Sequence, residues 1–165
     1  GVRKKIVLVA SGKIITGFHM FRAMALGADV CNCARGMMFA LGCIQARRCN
    51  HNDCPVGVAT TNPKLDKAIA VDDKADRVDR YHRRTVQSFV EILGAAGLSH
   101  PSHIRPDHVY RRVDAVNCMR YSELYDWLQP GELINGTAPV KWQMMWDGAS
   151  TEDFLPSFET IGAAH

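Results

Sequence analysis

The sequence predicts an α/β fold organised around a parallel sheet, and three stretches carry that prediction. Residues 4–10, KKIVLVA, are a continuous apolar, β-branched run halted by SGK, the pattern of a strand covered on both faces. Residues 17–26, GFHMFRAMAL, have the apolar density of a helix packed on a sheet. Thr16 is placed as its N-cap and Gly27 as its closing glycine. Residues 28–34, ADVCNCA, read as a second strand. Strand, helix and strand with short joints form a βαβ unit, which implies parallel strands and a right-handed crossover.

The later elements follow from the same periodicity. MMFALGCIQARR, residues 37–48, reads as a helix that delivers the chain to a cysteine-rich loop. A polar connector at 57–74 precedes a long helix over about 73–96. Val78, Tyr81, Val86, Phe89, Val90 and Leu93 recur there at helical spacing, opposite a charged face. GLSHPSHIRPDHVYRRV brings a glycine stop, two prolines and a fresh start near Pro106; SELYDWL is a short helix with Ser122 as its cap. From Gly131 onward no period is sustained, and an extended tail is expected. The predicted organisation is thus 1–60 for the strands and cysteine loop, 61–130 for a helical extension and 131–165 for an irregular tail.

Composition narrows the function class. The chain has 165 residues, 47% apolar and 22% charged, enough for a core and too apolar for disorder. A net charge of +3 with basic residues scattered among acids argues against a nucleic-acid surface. No run approaches the ~18 apolar residues of a membrane span, and the N-terminus is too polar too soon for a signal peptide. A cytoplasmic setting is expected, where six cysteines act as apolar residues, metal ligands or redox groups rather than as a disulfide framework. Two parallel strands need flanking strands to be buried on both faces. Together with a first residue that is Gly rather than Met, this predicts a portion of a larger α/β protein.

Two constellations carry chemistry. Ser11, Gly12 and Lys13 follow the first strand, and Asn32, Cys33, Ala34, Arg35 and Gly36 end the second. Both loops fall at the carboxyl edge of a parallel sheet, where α/β folds bind ligands. Gly12 and Gly36 permit close backbone approach, and Lys13 and Arg35 add positive charge suited to a phosphate; a tight turn with nothing bound is the alternative. The second constellation is Cys43-x5-Cys49-x4-Cys54 followed by Pro55. Three thiolates at local spacing make a complete set for a three-iron cluster, one per iron. Arg47 and Arg48 would offset part of the thiolate charge, and backbone N–H groups near Gly57 would tune the sulfurs. Zinc with His51 or Asp53 as fourth ligand, or plain reduced cysteines, stay open on spacing alone.

Cys31, Cys33 and Cys118 read as small apolar interior residues. His82, His100, His103 and His108 read as surface or capping groups. Trp127, Trp142 and Trp146, with Met144 and Met145, read as packing anchors for the tail.

The stretch ASGKIITGFHMFRAMALGADVCNCARGMMFALGCIQARRCNHNDCPVGVAT resembles the end of the FMN-binding synthase domain of glutamate synthases, most of all their shorter FMN-binding relatives. The similarity is specific over 5–60 and looser to about residue 133. It implies that the chain is the C-terminal part of a (β/α)8 TIM barrel, the last two βα units followed by a mainly helical extension. By the same resemblance, Cys43, Cys49 and Cys54 fall on the ligands of a [3Fe-4S] cluster. Ser11 to Lys13 and Asn32 to Gly36 fall on the segments holding the FMN phosphate.

The implied reaction forms glutamate from 2-oxoglutarate and ammonia or glutamine-derived nitrogen, with electrons from a ferredoxin or NAD(P)H-linked partner. Relatives that make N-methylglutamate leave the nitrogen donor open, and a non-catalytic metal-binding or interaction module derived from such an enzyme is the alternative. Lys13 and Arg35 stand where glutamate synthase proper favours glycines, which points to the shorter subfamily. The catalytic residues and the N-terminal barrel portion would lie upstream, so the chain alone is expected to be inactive and to bind flavin weakly.

Overall fold

The computed structural model describes residues 2–152. Its described residues divide into two compact units, Ile6–Tyr121 and a second formed by residues 2–5 with 122–152.

The first unit opens with the anticipated βαβ unit. Strand β1 (Val9–Ala10) pairs in parallel with β2 (Val30–Cys31), Val9 opposite Val30 and Ala10 opposite Cys31. Helix α1 (Gly17–Ala25) runs between them. Flanking hydrogen bonds lengthen the ladder: Leu8 O accepts from the N–H of Asp29 and Val30, and Asn32 N–H donates to Ala10 O at 2.8 Å.

Both strands are shorter than the apolar runs suggest, and neither is covered on two faces. Val7 and Val9 are 69% and 53% exposed. Among the described residues each strand has a single neighbour, so no layer closes over its outer face.

The ends of α1 follow from local chemistry. Thr16 is extended and its hydroxyl accepts from the N–H of His19. At the other end Gly27 adopts φ 106°; its N–H donates to Met24 O, and Ala28 N–H to Ala23 O, the paired bonds of a Schellman stop. Thr16→Ala should lower stability by about 1 kcal/mol, measurable as a shifted denaturant midpoint at unchanged slope.

Helix α2 (Arg35–Leu41) ends well before residue 48. Gly42 takes a left-handed conformation, donating to Phe39 O while Cys43 donates to Met38 O, and residues 43–48 leave the helix. Helix α3 (Val71–Ala95) matches the amphipathic prediction closely. Its Phe89 and Leu93 are buried, whereas Val86 and Val90 of the same apolar stripe are exposed. Helices α1 and α2 pack on α3, and two helices cover less than the full stripe. Gly17 sits where α1 meets the α3 backbone: a Cβ there would stand 2.4 Å from Phe89 N.

Beyond α3, His100 and His108 cap short 3-10 turns, accepting from the N–H of Ser102 and Arg105. An unforeseen antiparallel hairpin follows, β3 (Tyr110–Arg112) with β4 (Cys118–Arg120). Its turn is organised by Asp114, whose Oδ1 accepts from the N–H of Val116 and Asn117. Cys118 is consequently exposed on a strand rather than interior. Helix α4 (Tyr121–Leu124) contains Ser122 within it instead of before it.

In the second unit, residues 2–5 form a 3-10 turn rather than the start of the strand. The expected irregular tail contains α5 (Glu132–Asn135) and α6 (Val140–Asp147), linked by Gln143 donating to Leu133 O. Such short helices bury little, and Trp142 and Trp146 stay 37% and 51% exposed, so neither is an anchor here. The tail prediction beyond residue 152 lies outside the described residues. No described helix is long and apolar enough to cross a membrane.

Candidate functional site

The parallel pairing of β1 and β2 sets the loops that follow them side by side. Ser11, Gly12, Lys13, Ile14, Asn32, Ala34 and Arg35 line one cavity of about 290 Å³. Six of these are sequence-predicted site residues, drawn from two segments some twenty residues apart.

The first loop turns tightly, with Gly12 at φ 95° and Lys13 at φ 57°. Only glycine enters the left-handed region without steric cost, so Lys13 is held there by its surroundings. A Cβ on Gly12 would meet no atom within 4 Å; open space beside this backbone leaves room for a ligand. A lysine, an arginine, a serine hydroxyl and an asparagine amide around one concavity are a donor set for an anion. The residues present therefore fit a phosphate group.

Cys33 and Gly36 stand elsewhere. Cys33 lines an adjoining cavity of about 190 Å³ with Ile14, Cys31, Asn32 and Tyr81, and its Sγ lies 3.3 Å from Tyr81 Oη. Gly36 is buried against the same phenol; a Cβ there would lie 2.0 Å from Tyr81 Oη. Its lack of a side chain serves packing. Burial pushes the neighbouring Cys31 thiol up, which keeps it protonated. Spacing alone did not single out Tyr81, which looked like one more member of the α3 apolar stripe.

The cysteine loop spans residues 42–57 and is held in an unusual conformation. Gln45, Arg47 and Asn52 all have φ of 55–57°. With Lys13 they are all the non-glycine residues of positive φ among the described residues, so backbone strain is confined to the two candidate loops. Asn52 staples the loop: its Oδ1 accepts from Thr61 N–H at 2.7 Å, its Nδ2 donates to Thr61 Oγ1, and its carbonyl accepts from Thr60 Oγ1.

The three sulfurs differ in setting. Cys54 is buried, and the backbone N–H of Ala59, followed by that of Val56, holds its thiol below the ordinary range, with Val58 and Gly57 adding and burial opposing. Backbone donors converging on sulfur favour the thiolate, the form that ligates metal. Gly57 makes that turn possible, because at φ 77° a Cβ would sit 2.6 Å from Leu65 O. Cys43 and Cys49 line a third cavity, of about 470 Å³, with Arg35, Gln45 and Arg47. Cys43 Sγ accepts from Gln45 N–H at 3.4 Å.

Among the described residues no three His, Cys, Asp or Glu side chains stand together as a metal-binding group. The donor chemistry thus fits a thiolate-held centre, while the sulfurs are not gathered into one. The alternative zinc ligands are engaged otherwise: Asp53 pairs with Arg48, and His51 contacts Asn50. Arg47 and Arg35 are the arginines that line the cavity with Cys43 and Cys49.

Residues 1–99 match the family model described as the conserved region in glutamate synthase. The chain is 46% identical over 115 residues to the glutamate synthase large subunit-like protein YerD of Bacillus subtilis, covering 69% of this chain and 22% of that protein. It is 36% identical over 105 residues to the archaeal glutamate synthase (NADPH) of Methanocaldococcus jannaschii, 64% of this chain and 21% of the other. Against the NADPH glutamate synthase large chain of Bacillus subtilis it is 33% identical over 118 residues, 66% and 8% of the two chains. The matched part spans about a fifth or less of each relative.

Proposed function

Because the chain belongs to the glutamate synthase family, whose conserved region matches residues 1–99, we propose that it forms the cofactor-bearing end of a glutamate synthase-like oxidoreductase. In this reading β1, α1, β2 and α2 are the last two βα units of a (β/α)8 barrel, and the loops after the two strands hold the phosphate of FMN. One observation carries it: Ser11, Gly12, Lys13, Asn32, Ala34 and Arg35 converge on a single cavity at the carboxyl edge of the parallel pair, the position where such barrels bind phosphate.

The chain's own residues bind and orient. Lys13 and Arg35 contribute charge, Ser11 and Asn32 contribute neutral donors, and Gly12 lets the backbone approach. FMN, when bound, supplies hydride chemistry for making glutamate from 2-oxoglutarate and ammonia or glutamine-derived nitrogen. Cys43, Cys49 and Cys54 would hold a [3Fe-4S] cluster that relays electrons from a ferredoxin or NAD(P)H-linked donor. Backbone donors, that of Ala59 first, shift the Cys54 thiol downward, toward the form that binds metal. Cys43 and Cys49 belong to the loop that metal binding would draw in, since assembly of such centres is coupled to local folding.

The test is the cofactor content of the full-length protein that carries this sequence, purified without oxygen. Bound FMN together with about three irons and acid-labile sulfide per chain is the expected result. One zinc per chain and no flavin would overturn the proposal.

A further inference from the structure

Tyr81 reaches from α3 to the backs of both cavity loops. Its hydroxyl donates to Ile15 O at 2.6 Å, one residue beyond Ile14, which lines the anion cavity. The same oxygen lies 3.3 Å from Cys33 Sγ, one residue beyond Asn32, which lines the cavity from the other side. A phenol has a single proton, and here it is committed to the Ile15 carbonyl; the Cys33 thiol is therefore the donor to the phenolic oxygen. Ile14 and Asn32 also line the cavity that holds Tyr81, so these two residues are the shared wall between strut and cradle.

We propose that Tyr81 is a positioning residue for the anion cradle, tying residue 15 to residue 33 and thereby setting the separation of the loops that present Lys13 and Arg35. Two further observations support it. Gly36 is free of a side chain where one would displace the phenol. Burial pushes the phenol up to about 12, so the proton that makes the bond to Ile15 is retained well above neutral pH. Tyr81 touches no ligand in this scheme; it acts through the two loops.

The inference rests on reading the cavity as the FMN phosphate site, and the test separates the two. FMN and riboflavin differ by the phosphate alone. Their dissociation constants are to be compared by flavin fluorescence in the full-length protein, as wild type, Tyr81→Phe and Cys33→Ala. Tyr81→Phe keeps the ring and removes the bond, and should weaken FMN by about fivefold while leaving riboflavin unchanged. Cys33→Ala keeps the Ile15 bond and should shift the ratio in the same direction, by about twofold.

A merely structural role would lower the melting temperature and weaken both flavins equally, which would overturn the proposal. Discrimination that survives both substitutions would do the same. Should Tyr81→Phe fail to fold, an unaltered ratio in Cys33→Ala is decisive against it. Wild-type protein that binds riboflavin as tightly as FMN would remove the cradle reading itself and this proposal with it.

Discussion

Gly17→Ala is expected to cost about 3 kcal/mol, at the upper end for added volume in a packed interior, and to lower the melting temperature by roughly 10 °C. The added methyl group would stand 2.4 Å from Phe89 N and 2.7 Å from Ser88 C. Both atoms are backbone of the longest helix, and they cannot rotate aside as a side chain could. Helix α1 would have to lift from α3, withdrawing Phe21 and Ala25, two of the most buried residues.

Gly94→Ala supplies the matched control. Gly94 lies in the last turn of α3, and a Cβ there would have nothing within 4 Å, so alanine should raise stability by about 0.5–1 kcal/mol. Opposite signs for the same chemical change, read by thermal denaturation of the two variants, are the expected outcome. Equal effects would mean that α1 and α3 do not meet at Gly17.

Cys54→Ala is expected to reduce bound iron in the full-length protein by on the order of tenfold or more, beyond the loss seen when only a supporting group is removed. Backbone groups of residues 56 to 59, Ala59 foremost, lower the pKa of this thiol, and alanine removes the sulfur they act on. Cys118→Ala, on the exposed β4 strand, should leave iron unchanged. Iron and sulfide analysis beside a circular dichroism spectrum separates ligand loss from unfolding. Unaltered iron in Cys54→Ala would remove this residue from the ligand set.

Some of the site was written in short-range chemistry. The Thr16 cap and the Gly27 stop depend on neighbours a few residues apart, the parallel βαβ unit follows from the succession of apolar runs, and all are present. The cysteine loop was also visible as spacing, although the same stretch hid the end of α2 at Gly42. Apolar density continued past that glycine, and its left-handed conformation outweighed the periodicity. The β3–β4 hairpin escaped notice because Asp114 and Asn117 build its turn through side-chain bonds, leaving no glycine at its tip.

What the sequence by itself determined is which groups are available for the proposed chemistry: three closely spaced thiols, and two glycine-containing loops with a cation in each. Those identities depend on residue type and spacing, which survive in any conformation. Only tertiary structure decided that Lys13 and Arg35 face one cavity, that Cys33 and Gly36 turn away to receive Tyr81, and that Asn52 pins the cysteine loop. These arrangements link residues 9 to 66 positions apart. A one-dimensional pattern records what each residue can do, whereas the closing of the chain on itself settles which of those capacities meet.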